Sequence, residues 1–263
     1  MPVPKLRWEP TVFQDPLGGE ITLWPYLPCV LMPKQMRPRH WDGLALLSSI
    51  DELTSLREEE DQEKASPGVH LQSAVASGTS LGMLVRDLSA LEIDGPSIPD
   101  PERIRLIRHA ENSRGGMPVY PLEPGIDDED WADWQSRWAD EQVRLGNLIA
   151  TMGRSRRWAK IRRKAASSVS KSKWVDANLG AASAVCAAWW MEESLSLTEK
   201  LVRERDSRLS ARLRGALADL RGTDNKFSKN ETTTLLVPVQ QAYLPSLENS
   251  LFACEDVEML RRE

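Results

Sequence analysis

The sequence predicts an α/β protein: a small, mostly parallel sheet flanked by helices, helix-rich overall and carrying a helical insertion. Three observations support this. Thr232-Thr233-Thr234-Leu235-Leu236-Val237-Pro238-Val239 joins β-branched residues to a continuous apolar run, which suits a strand buried on both faces. Residues 88–122 read as strand, helix, Gly-Gly and strand, the size of a βαβ unit. Much of the remaining chain places apolar residues at helical spacing.

Residues 1–36 read as an irregular, proline-rich arm. Within it, Glu20-Ile21-Thr22-Leu23-Trp24 suggests a short strand. Pro25, Pro28 and Pro33 follow, so the pattern predicts an edge strand. Residues 37–263 are expected to form one α/β domain with the helical insertion at about 126–195. From Arg37 to Lys64, Trp41, Leu44, Leu47, Ile50, Leu53 and Leu56 recur in three-residue steps, which predicts a helix. Its end, residues 57–64, is acidic and reads as a solvated face.

Leu88-Ser89-Ala90-Leu91-Glu92-Ile93-Asp94-Gly95 reads as a strand ending in a turn. A helix is expected from Pro101 to about Asn112, with proline in its first turn and Ile104, Ile107 and Ala110 on its apolar side. Gly115-Gly116 ends it, and Met117-Pro118-Val119-Tyr120-Pro121-Leu122 is the next strand. Another helix starts near Asp127, where four consecutive acids suit a helix N-terminus. Trp131, Trp134, Trp138, Leu145 and Leu148 form its stripe, to be read as core or as a stacking platform for a ligand. From Trp174 to Leu220 the chain reads as helical with a break near 192–197. A polar loop at 222–231, the strand at 232–239, and a last helix carrying Leu244, Leu247 and Leu251 complete the chain.

Composition narrows the function classes. The chain is 41% hydrophobic and 28% charged, which argues for a packed core rather than disorder. A net charge of −5 gives no overall attraction to nucleic acid, so that partner class is disfavoured. Cys29, Cys186 and Cys254 form no C-x-x-C pair, and their number is odd. Free thiols and a cytoplasmic location are therefore expected. The longest apolar run, Leu179–Met191, has 13 residues, against roughly 20 for a membrane-spanning helix.

Residues 154–173 carry nine Lys or Arg and no acid. Arg156, Arg157, Lys160, Arg162, Arg163 and Lys164 form the basic patch, with Trp158 and Ile161 interleaved. It could meet phosphate or an acidic protein, or pair internally with the acidic 58–63 segment. Arg108-His109-Ala110-Glu111 has the form of a histidine-phosphatase signature. That chemistry needs a second histidine downstream, and His40, His70 and His109 are the only three in the chain. No cluster of His and Cys at metal-ligand spacing is present, so neither a metal nor any other cofactor is expected.

The most informative polar pair is Arg205-Asp206. The apolar stripe Leu195, Val202, Leu209, Leu213, Leu217 and Leu220 passes through these positions, which places two charges on or beside a buried face. The pair is expected either to lock the helix to the sheet or to reach a pocket at the strand ends.

These residues also carry a family resemblance. Residues 198–213, with Glu204-Arg205-Asp206 and Leu209-Ser210-Ala211-Arg212-Leu213, resemble the "ERD" helix of TraB/PrgY-type proteins. Leu235–Val239 followed by Gln240–Leu247 is similar to the strand and G-x-x-H turn that come next in that family. Ala90–Asp94 and Met117–Leu122 resemble two of its other strands, so the likeness spans about 88–252. The family's turn glycine is Gln240 here, its histidine is Tyr243, and a later glycine is Ser246. The resemblance thus implies a catalytically degenerate member. Glu92, Arg205, Asp206 and Tyr243 would form a strand-end cleft for a peptide or protein partner. Two alternatives stand beside it: a scaffold docking through residues 131–173, and a metal-dependent hydrolase.

Overall fold

The computed structural model describes residues 2–222 and 232–260, without the side chains of 148 and 150–152. The predicted polar loop at 222–231 lies almost wholly outside these residues. The architecture is the predicted one: a five-stranded, mostly parallel sheet with helices on both faces. Its strands are β1 (Thr11–Gln14), β2 (Glu20–Tyr26), β3 (Gly43–Leu46), β4 (Val119–Pro121) and β5 (Thr234–Gln240), in the order β1-β2-β5-β3-β4. Only the β1–β2 pair is antiparallel. No helix among the described residues is long and apolar enough to cross a membrane.

Strand β5 sits at the centre, and its alternation sorts the core. Leu235, Val237 and Val239 face one layer, while Leu236 faces the other. The first layer is built by α9 (Glu199–Gly222) and α10 (Leu244–Ala253), through Leu209, Leu213, Leu217, Leu244, Leu247 and Leu251. The opposite layer contains α3 (Ser80–Ser89), α4 (Pro101–Asn112) and α8 (Ala177–Glu193). The apolar run from Leu179 is therefore a core helix: Leu179, Ala182, Val185 and Cys186 share a cluster with Trp24 and Leu44.

Three sequence expectations need correction. Strand β2 is internal, paired with β1 through Thr11↔Leu23 and with β5 through Tyr26↔Gln240. It tolerates Pro25 because of alternation. The Glu20 N–H donates to the Thr233 carbonyl on the β5 side, so residue 25 turns its backbone the other way, beyond the last residue β1 reaches. Strand β1 thus incorporates the N-terminal segment into the sheet. The chain before it is also fixed: the Leu6 N–H donates to the Ser168 carbonyl at 3.0 Å, and the Leu6 carbonyl accepts from the Ser170 N–H at 2.9 Å.

Second, the helix expected from Arg37 begins only at Ile50, as α1 (Ile50–Ala65), capped by the Ser49 hydroxyl, which accepts from the Glu52 N–H at 3.2 Å. Trp41, Leu44 and Leu46 belong to β3 and its approach. A parallel strand buried on both faces gives a continuous apolar run, and short runs of that kind carry no distinguishing period. Gly43 is needed here, since a Cβ would stand 2.8 Å from Leu220 Cδ2.

Third, residues 88–95 are not a strand. Leu84, Val85 and Leu88 continue one helical face, so α3 runs to Ser89 and a turn follows. The parallel neighbour of β4 is β3, and the crossover between them holds α1, α2 (Val69–Ala76), α3 and α4.

Between β4 and β5 come α5 (Glu129–Val143), α6 (Leu145–Met152), α7 (Arg154–Ala166), α8 and α9. Asp128 caps α5 by accepting from the Trp131 N–H at 2.8 Å. After α10, the tail lies along α9. The Glu258 N–H donates to the Ala211 carbonyl at 3.0 Å, and Arg208 and Arg212 both bind the Glu258 carboxylate. Gly215 permits that approach, because a Cβ there would fall 1.8 Å from the Glu258 carbonyl oxygen.

Candidate functional site

A cavity of about 130 Å³ opens at the carboxyl ends of the parallel strands. Its walls come from the ends of β2 (Tyr26), β3 (Leu46, Leu47) and β5 (Pro238, Gln240), with Glu123 just past β4. Helices supply Arg103 from α4, Trp190 from α8 and Arg205 and Leu209 from α9, and Tyr243 closes the ring. Open α/β sheets characteristically bind ligands at this edge.

Pro238 helps make the opening. Thr234 exchanges backbone and side-chain bonds with Asp42 on the β3 side, so alternation turns Leu236 and Pro238 the same way. Proline has no N–H to donate, and the β3–β5 register runs only from Gly43↔Leu235 to Leu44↔Leu236. Beyond it the ends of β3 and β5 line the cavity through Leu46, Leu47, Pro238 and Gln240.

Arg205 lies in the wall with Asp206 behind it, and both residues are buried. Arg205 Nε and Nη2 each reach Asp206 Oδ1 at 2.9 Å. The same carboxylate accepts from the Tyr243 hydroxyl at 2.7 Å and from the Ser246 hydroxyl. The guanidinium carbon stands 4.5 Å from the Tyr243 ring centre and 5.7 Å from that of Trp190. Those two rings stack at 4.7 Å. Burial opposes the charge of Arg205, but Tyr243 and Asp206 outweigh it and raise its pKa. Burial likewise holds the Tyr243 phenol well above its ordinary value. Asp206 thus ties α9 to the β5–α10 turn, while Arg205 lines the cavity.

Glu123 supplies the carboxyl group of the cavity lining. Burial and the neighbouring Glu52 push its carboxyl up to about 7, against the pull of Arg205 and Arg103. Two polar atoms on lining residues have no hydrogen-bond partner, a terminal guanidinium nitrogen (Nη2) of Arg103 and Oε1 of Gln240.

Of the predicted site residues, Arg205, Asp206 and Tyr243 converge in one hydrogen-bonded group. Glu92 does not join them: it is exposed, in the turn after α3, because the expected strand around it is absent. The carboxylate of the cavity is Glu123 instead. The sequence held a signal for it, since Glu123 directly follows the predicted strand 117–122 and so falls at a strand's carboxyl end. Gln240, next after the predicted strand 232–239, carried the same signal, whereas Arg103 and Trp190 carried none.

The tryptophan stripe is largely internal. Trp131 and Trp134 are buried and stacked at 4.7 Å, packed on Leu197 and Leu201. Trp138 is half-buried and donates to the Ser196 hydroxyl at 2.9 Å.

The basic segment pairs internally only in part, and not with the 58–63 acids. Arg154 and Arg157 bind the buried Glu192 of α8, and Arg162 binds Asp87 of α3 at 2.6 Å. Within the acidic segment, Glu60 pairs with Arg108 and Lys64. Among the described residues no group of three His, Cys, Asp or Glu is placed to hold a metal ion. His109 lies on α4 against Trp41, with ring centres 5.1 Å apart.

Fold and site together define an α/β protein with a small polar cavity at its strand ends. Comparison with protein-family models, curated proteins and solved structures returns no match.

Proposed function

We propose that this chain is a binding protein whose strand-end cavity takes a polar group of a peptide or protein partner. The observation that carries the reading is Arg103, whose terminal nitrogen is buried without a partner in the cavity wall. A buried donor left unpaired costs on the order of 1–3 kcal/mol, which a bound acceptor would recover. The likeness of residues 198–213 and 235–247 to TraB/PrgY-type proteins adds support for a catalytically degenerate relative. Those two segments supply Arg205, Asp206, Tyr243 and Ser246 to a single network.

Peptides enriched from a random display library against the intact protein test the reading. Leu47→Trp, which fills the cavity mouth, is expected to abolish their binding while the variant keeps the wild-type melting temperature. Equal binding to both proteins, or no enrichment at all, would overturn it.

A second surface has its own observation. Arg156, Lys160, Arg163 and Lys164 are exposed along one face of α7, and none has an ion pair among the described residues. Val143, Leu145 and Ile149 are exposed just before that helix. This combination fits docking of an acidic protein segment, with apolar contact beside charge. Binding of an oligo-glutamate peptide is expected to weaken steeply with salt and to vanish when all four residues are changed to Glu. Salt-independent binding, or binding that survives the change, would remove this reading.

A further inference from the structure

The cavity's charge and its unpartnered atoms specify the group it accepts. Arg205 is neutralised by Asp206 within the wall. Arg103 has no ion pair among the described residues. Asp100, which caps α4, accepts from the Cys29, Glu102 and Arg103 N–H groups. Arg103 therefore lines the cavity without a direct ion pair, its charge attracted at longer range by Asp100 and by the Glu123 carboxyl. That balance suits a single negative charge and opposes a dianion such as a phosphate monoester. Gln240 Oε1 is an acceptor without a donor, so the ligand also has to offer an N–H or O–H close to its charge. The space holds about four waters' worth of volume, enough for a chain terminus but not for a peptide body.

We infer that the cavity binds a carboxylate that carries a neighbouring N–H donor, as the C-terminal residue of a peptide does. The carboxylate sits on Arg103, the N–H meets Gln240, and Glu123 gates entry. This rests on the cavity being the binding site proposed above. The charged groups acting on Glu123 are Glu52 from α1, Arg103 from α4 and Arg205 from α9. When Glu123 is ionised it repels the incoming carboxylate, and when protonated it does not. Affinity therefore rises as pH falls from 8 to 6.

Calorimetric titration of the full chain with N-acetylglycine, propionate, N-acetylglycinamide and a tripeptide with a free carboxyl terminus tests this. N-acetylglycine is expected to bind, and both propionate and the neutral amide to bind at least about tenfold more weakly, the size of one hydrogen bond to a charged group. Arg103→Met and the milder Arg103→Lys should each lower N-acetylglycine affinity, and Glu123→Gln should hold it at its acid-side value across pH 6–8. Equal binding of acid and amide, or an unchanged pH profile in Glu123→Gln, overturns the inference while leaving the cavity a binding site. Binding of N-acetylglycine but not of the tripeptide upholds the carboxylate and overturns the peptide-partner reading. No binding of any of the four overturns the inference.

Discussion

Asp206→Ala is expected to cost about 3–5 kcal/mol of folding stability, the range for removing one partner of a buried ion pair. Asp206 is 3% exposed and its carboxylate serves three donors at once: Arg205, the Tyr243 hydroxyl and the Ser246 hydroxyl. Truncation leaves a buried guanidinium without its counter-charge, held only by the faces of Tyr243 and Trp190. The double change Arg205→Met with Asp206→Ala is expected to be more stable than Asp206→Ala alone, because the unpaired charge goes with it. Urea unfolding of the wild type and these two variants checks this. A cost below about 1 kcal/mol, the worth of an exposed pair, would show that the network is not buried in solution.

Arg214→Met is the second large effect, again about 3–5 kcal/mol at neutral pH. Arg214 and Asp15 are both buried, with Nε 2.7 Å from Oδ2, and this pair ties the turn between β1 and β2 to α9. Arg214 also donates to the carbonyls of Cys254 and Glu255, at 3.1 and 2.6 Å, so it anchors the tail as well. The sign of the pH dependence follows from Asp15. Burial acts to raise its pKa, but the hydrogen bond and charge of Arg214 overcome this and the net shift is downward. In the wild type, the Asp15 contribution is fully present above its unfolded value of about 3.9 and is lost as pH falls through the lower folded value. Without Arg214, burial is opposed only by the Leu17 N–H and by Arg221, so the folded pKa of Asp15 rises relative to the wild type and protonation costs the variant less. The stability gap between wild type and Arg214→Met should therefore narrow as pH falls from 7 toward 4. A gap that widens over this range would contradict the assignment.

Neither the Asp15 pair nor Glu123 shows as a charge anomaly in the sequence. Asp206 and Arg205 do, because they interrupt an apolar stripe of fixed period on a helix whose own residues define the buried side. Asp15 lies in a short turn, where no periodicity marks a residue as buried. Its partner is 199 positions away. Glu123 follows a three-residue strand, so only the rule that ligands gather at strand carboxyl ends could have pointed to it.

What the sequence determined by itself is everything written in local periodicity and composition. It specified the α/β class, α4, the break between α8 and α9, the strand β5, the final helix, and the burial of Arg205 and Asp206. Each depends on a repeat of 3.6 or 2 residues, or on β-branched content, within one segment. Tertiary structure alone decided the order β1-β2-β5-β3-β4, the internal place of β2 despite Pro25, and the choice of 43–46 over 88–95 as the neighbour of β4. A strand is completed by its partners' backbone groups, and those partners are distant in the chain. It also decided that Glu123 rather than Glu92 supplies the carboxylate of the cavity, because a pocket at strand ends exists only once the strands are paired and Pro238 stops the ladder.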